Sequence, residues 1–226
     1  MRPAADERAL REQVVAALRR LDALGLNRGS TGNLSLRCAR KGRPGMLITP
    51  TGMGAGELRA QDMVWVGEDG SVEGDWAPSS EWHLHQAVLA RRADLMALVH
   101  THSVHATALA CLQRELPPFH YMVAVCGAER VPCVPYHLFG SGALSLAVAQ
   151  ALNDRNACLL AQHGLVAAGA TLAQALQIAI EIEALCEIYL TALAVAEPAL
   201  LSAAQMAEVL ERFSGYGRSR RSGPAR

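Results

Sequence analysis

Residues 171–195, TLAQALQIAIEIEALCEIYLTALAV, are apolar on most sides of a helix, so that helix must be buried in its own chain or at a subunit interface. This limits the fold to one with a surface large enough to receive it. The segments before it supply strands. MLI (46–48), MVWV (63–66), LMALV (95–99) and ACLLAQ (157–162) are short apolar runs bounded by turn residues, and LVAAG (165–169) reads as a strand paired with the last of these. Helical patterns fall between them. Leu10, Val14, Leu18 and Leu21 form a stripe ended by Gly25. PSSEWHLHQAVLARRAD (78–94) reads as a helix whose start is marked by Ser79 or Ser80, and further helices begin near Ser103 and Ser141. VPCVPY (131–136) reads as an edge or connecting strand because of its prolines, and a last amphipathic helix lies near 203–213. The order is mixed rather than strictly alternating. It predicts one α/β domain of the α+β type over residues 1–226, with a largely antiparallel sheet flanked by helices and a flexible tail at 214–226.

Composition excludes several function classes. Lys plus Arg and Asp plus Glu are equal at 21 each, so no global charge favours nucleic acid or an anionic membrane. Aromatic residues are too few for a base-stacking surface. The N-terminus has no apolar signal region, and no apolar stretch is long enough to span a bilayer. The six Cys lack CxxC spacing, and most lie in apolar contexts. They read as buried hydrophobes of a reduced cytoplasmic protein rather than as disulfides or a thiolate zinc site.

The chemistry-bearing residues lie at the ends of these segments. If the apolar run 95–99 is a strand, side chains alternate between faces, so His100 and His102 just after it point the same way. His163 follows the strand ACLLAQ and precedes Gly164, so it can project at a rim. Glu81 stands at the start of the helix before the His100 strand. Three His and a carboxylate suit zinc, which takes about four ligands and keeps an exchangeable position when catalytic. GSTGN (29–33), TPTG (49–52) and PSS (78–80) offer hydroxyls and backbone N–H groups to an anion, with Ser79 and Ser80 at a helix start. No GxxxxGK[ST] or GxGxxG motif occurs. Each feature alone also has a structural reading: a strand-end histidine, a helix cap or a turn. His83 and His85 lie two apart on a helix and face different directions, so they cannot repeat the strand pair. His105 reads as structural or as supporting the site, and His120 and His137 as rim or interface residues.

In combination these segments resemble the class II aldolase/adducin family. The likeness runs through GLNRGSTGNLSLR, MLITPTGM, PSSEWHLHQAVLARRADLMALVHTHSVHATAL, HYMVAVCG, VPCVPYHLFG, LLAQHGL and LERFSGYG, which is nearly the whole chain. The resemblance implies a zinc-dependent aldolase that reversibly cleaves a ketose 1-phosphate, either L-fuculose 1-phosphate or a 5-deoxy or 5-substituted ribulose 1-phosphate. The products would be dihydroxyacetone phosphate and an aldehyde. It further implies one zinc per chain, other divalent metals being possible, held by His100, His102, His163 and Glu81, with Glu81 also the acid/base group. Ser30, Asn33, Thr51, Gly52, Ser79 and Ser80 match phosphate-binding positions, and Phe139 matches a wall on the aldehyde side. Tyr121 and Tyr216 match tyrosines that enter the site from a neighbouring subunit, which implies a homotetramer with sites at subunit interfaces. Related sugar-phosphate epimerases carry Asp where this chain has Glu81. Epimerase, dehydratase or decarboxylase chemistry, or a non-catalytic adducin-like scaffold, are the alternatives. The longer LRCARKGRPGML loop, Thr101 between the paired histidines and the SGALSLA segment depart from the family pattern and leave the aldehyde undetermined.

Overall fold

A computed structural model describes residues 6–215. Its centre is one eight-stranded sheet built from β1 (Asn33–Arg37), β2 (Gly45–Ile48), β3 (Val64–Gly67), β4 (Val72–Glu73), β5 (Ala97–Thr101), β6 (Cys133–Val134), β7 (Ala157–Leu160) and β8 (Gly164–Gly169). The order across the sheet is β4-β3-β2-β1-β5-β8-β7-β6, and every pairing is antiparallel except β6 with β7. The antiparallel expectation therefore holds. The proline-flanked β6 is an edge strand, where the missing N–H groups disrupt no central ladder.

Helices cover both faces, and this explains why the strands read as apolar runs instead of alternating patterns. On one face α1 (Glu7–Ala23), α3 (Val104–Cys111) and α5 (Leu172–Leu193) pack with Leu34, Leu36, Val99, Leu165 and Ala167. On the other, α2 (Trp82–Arg91) and α4 (Gly142–Ala151) pack with Ile48, Val64, Leu98, Leu160 and Val166. The apolar helix of residues 171–195 is α5. Ala175, Ile178, Ala179, Ile182 and Cys186 bury one side against the sheet, while Ile188 stays half exposed. A final helix, α6, spans Ala203–Gly215. All six cysteines are free thiols, four of them buried, as their apolar contexts predict.

One boundary differs from the sequence reading. The helix start assigned to Ser79 or Ser80 falls at Glu81, which is the N-cap of α2 and makes no side-chain cap. Ser79 and Ser80 instead belong to a turn closed by Trp82 N–H donating to Ser79 O at 3.0 Å. A cap residue has non-helical backbone, so the Glu81 carboxylate is directed off the helix and toward β1 and β5.

Candidate active site

The site forms where three separate segments meet at strand ends. β5 carries His100 on the face covered by α2, opposite Asn33 in the register with β1 and opposite Val166 of β8. His102 follows two residues later. The turn between β7 and β8 delivers His163 and is made tight by Gln162 at φ 52°. Gly164 permits the approach, since a Cβ there would strike the Thr101 carbonyl oxygen and lie 3.2 Å from His102 Cδ2.

The three imidazoles pack edge to face, with ring centroids 4.8–4.9 Å apart and interplanar angles of 73–84°. His100 Nε2 lies 2.9 Å from His102 Nε2 and 3.2 Å from Glu81 Oε2, and His163 Nε2 lies 3.3 Å from Glu81 Oε1. One ligand atom from each of Glu81, His100, His102 and His163 falls within 4.8 Å of all the others. His100 Nδ1 pairs with Leu165 O at 2.9 Å, which makes Nδ1 the protonated nitrogen and leaves the Nε2 lone pair facing its neighbours. Glu81 Oε1 is buried without a hydrogen-bond partner. A buried unpaired carboxylate oxygen among converging ring nitrogens fits a bound divalent cation.

The electrostatics agree. Burial pushes the Glu81 carboxyl upward, but His100, His163 and the Asn33 amide outweigh it and hold the group well below the usual carboxylate range. Burial, with the neighbouring histidines, lowers His102 and His163 to about 4 each. Near neutral pH these two rings are uncharged and the carboxylate is ionised, which is the protonation state a metal needs.

This cluster borders a pocket of about 330 Å³. Ser30, Asn33, Thr51, Gly52, Ser79, Ser80 and Phe139 all line it, with Glu81, His102 and His163. The three hydroxyl- and glycine-rich loops thus converge on the space beside the histidines. His100 lies beneath the pocket, fully buried. Tyr121 is elsewhere. It opens the 3₁₀ helix Tyr121–Cys126, is half exposed, and lines a separate groove with α6 residues. Tyr216 lies outside the described residues.

His137, read from sequence as a rim or interface residue, lines the pocket. Several contributors were given no role in the site from sequence. Gln162 and Tyr136 also line the pocket. His85, fully buried, pairs with Ser35 Oγ at 2.7 Å and Asn33 Oδ1 at 2.5 Å. Glu183 on α5 accepts from the backbone N–H groups of His105 and Ala106, each at 2.8 Å, and pairs with His105 Nδ1 at 2.9 Å. It thereby caps α3 directly after His102. A signal for His85 existed, because it lies four residues after Glu81 on the same side of α2. Its β1 partners, however, are not visible in local pattern.

A histidine–carboxylate cluster that could hold a metal, beside hydroxyl- and glycine-rich loops at the strand ends of a sheet covered on both faces, defines an α/β protein with a candidate metal site. Residues 12–190 match the family described as Class II Aldolase and Adducin N-terminal domain, and the chain belongs to this family. It is 46% identical over 209 residues to a Rhodospirillum rubrum protein named 5-methylthioribulose-1-phosphate/5-deoxyribulose-1-phosphate aldolase, covering 92% of this chain and 93% of that one. It is 43% identical to the L-fuculose phosphate aldolase of Escherichia coli K12, covering 92% and 95% of the two chains. A solved structure titled L-fuculose 1-phosphate aldolase superposes with a TM-score of 0.87 at 35% identity, covering 91% of this chain and 96% of that one.

Proposed function

We propose that this protein is a zinc-dependent aldolase that reversibly cleaves a ketose 1-phosphate to dihydroxyacetone phosphate and an aldehyde. The observation that carries the proposal is the convergence of the four-residue metal group and the three hydroxyl- and glycine-rich loops on one pocket. The relatives named above support a class II aldolase acting on ketose 1-phosphates, and their names give the candidate sugars: L-fuculose 1-phosphate or a 5-deoxy or 5-methylthio ribulose 1-phosphate.

His100, His102, His163 and Glu81 would hold the metal, which supplies positive charge beside a developing oxyanion. Ser30, Asn33, Thr51, Gly52, Ser79 and Ser80 bind the phosphate and fix the carbon chain against the histidines, lowering the entropic part of the barrier. Glu81 moves the proton at C3 of the dihydroxyacetone phosphate portion. Its ionised carboxylate is ready to accept in the condensation direction and returns the proton after cleavage. Phe139 walls the aldehyde side. Tyr121 exchanges a proton with the aldehyde oxygen of a neighbouring subunit's site. Its half-exposed position away from its own pocket supports that reading, as it does a homotetramer with sites at interfaces. Tyr216 is proposed to join it from the C-terminal tail. Among the described residues no helix is long and apolar enough to cross a membrane, in keeping with a cytoplasmic enzyme acting on a phosphorylated sugar.

The test is a panel of ketose 1-phosphates with coupled detection of dihydroxyacetone phosphate, run beside metal analysis of the purified protein. We expect close to one zinc per chain and triose phosphate release that stops on chelation. Metal-replete protein that releases none from any member of the panel would refute the proposal, and epimerised or dehydrated products would reassign the reaction.

A further inference from the structure

Glu81 touches the sheet through one oxygen only. Its Oε2 accepts from Asn33 Nδ2 at 3.1 Å, whereas Oε1 has no hydrogen-bond partner. The Asn33 amide is therefore the hydrogen-bonding clamp on Oε2, which His100 Nε2 also approaches at 3.2 Å, and its orientation matters. If the amide turned by half a rotation, its oxygen would face the carboxylate and two acceptors would be opposed.

A chain of buried groups fixes that orientation. An ionised carboxylate can only accept, so Asn33 Nδ2 donates to it. Asn33 Oδ1 then faces His85 Nε2 at 2.5 Å and must receive a hydrogen from it. Burial holds the His85 ring neutral by pushing its pKa down to about 3. A neutral ring protonated at Nε2 has a bare Nδ1, so the Ser35 hydroxyl at 2.7 Å donates there. Ser35, His85, Asn33 and Glu81 are all buried, and each hydrogen in the series has one direction consistent with the carboxylate at its end. The geometry is local to two elements. Asn33 and Ser35 are alternate residues of β1 and share its α2-facing side, while Glu81 and His85 are four apart at the start of α2.

We propose that His85 is a positioning residue for the reaction: by locking the Asn33 amide it pins Glu81 through Oε2 and so sets the orientation of the carboxylate that moves the proton at the reacting carbon. His85 touches neither substrate nor metal in this scheme. The inference rests on Glu81 being the acid/base group of the proposed aldolase.

The experiment compares wild type, His85→Leu and His85→Gln, all metal-loaded. Leucine keeps the volume but removes both ring nitrogens, and glutamine restores a donor and an acceptor. For His85→Leu we expect kcat and solvent exchange of the C3 proton of dihydroxyacetone phosphate to fall about 10–100-fold, with metal content held. His85→Gln should recover most of the loss. In wild type, ¹⁵N imidazole spectra should show His85 protonated at Nε2 and bare at Nδ1, a readout independent of turnover and available even if a variant does not fold. Wild-type kcat and exchange in His85→Leu would overturn the inference, as would a His85 ring protonated at Nδ1. Failure of the underlying reading looks different: wild type would release no triose phosphate at all, while the tautomer would still report on the relay.

Discussion

Gly164→Ala tests how the histidine cluster is assembled. In the native structure the added Cβ would overlap the Thr101 carbonyl oxygen and lie 3.3 Å from its carbon and 3.2 Å from His102 Cδ2. Ordinary van der Waals contact begins at 3.4 Å, and the first obstacle is backbone, which cannot rotate aside. The start of β8 must therefore move from the end of β5 by roughly 1 Å, an overpacking strain of about 1–3 kcal/mol. That displacement falls between His102 and His163, two of the four converging groups. Metal ligation tolerates only about 0.2 Å, and loosened supporting geometry costs about 10–100-fold in affinity. Gly45→Ala is the control. Its Cβ would meet Val66 O at 2.5 Å and the Trp65 ring at 2.6 Å, on the β2–β3 pair away from the histidines. Both variants should show a lower urea midpoint, but only Gly164→Ala should lose affinity in a chelator-competition titration. Equal metal affinity in the two would refute the idea that this backbone contact sets the ligand geometry.

Metal-free protein should lose thermal stability as pH falls from about 6.5 toward 4. The folded pKa values of His102 and His163, about 4, and of His85, about 3, lie below the ordinary 6.5, so the unfolded chain binds protons first and is favoured by acid. A midpoint that is flat or rises from pH 7 to pH 5 in chelator-treated protein would contradict this. Glu183→Gln weakens the charged cap on the α3 N-terminus and should cost about 1–2 kcal/mol in urea unfolding; an unchanged midpoint would show the cap to be dispensable. Ser80→Ala removes a proposed donor to the phosphate dianion and should raise KM about tenfold or more, a hydrogen bond to a charged group being worth about 1.5–3 kcal/mol. Unchanged KM would remove Ser80 from the phosphate site.

The sequence alone determined the elements and much of the cluster, because both depend on local pattern. The stripe of Leu10, Val14, Leu18 and Leu21 and the apolar runs at 46–48, 63–66 and 95–99 became α1, β2, β3 and β5 with small shifts at their ends. His100 and His102, two apart at a strand end, share a face for the same reason. Their grouping with His163 and Glu81, and the convergence of the hydroxyl- and glycine-rich loops beside them, was legible through family resemblance, not from spacing. The tertiary structure decided the rest. Antiparallel register set Asn33 opposite His100, and the packing of α2 on β1 brought His85 onto Asn33 and Ser35, contacts spanning about fifty residues of chain. It also moved the α2 start past Ser80 to Glu81, turning an apparent cap into a loop and freeing the carboxylate to face the histidines. Periodicity reports which side of an element is apolar. Which polar groups meet across two elements depends on register and backbone approach, and these are fixed only when the sheet and its helices close together.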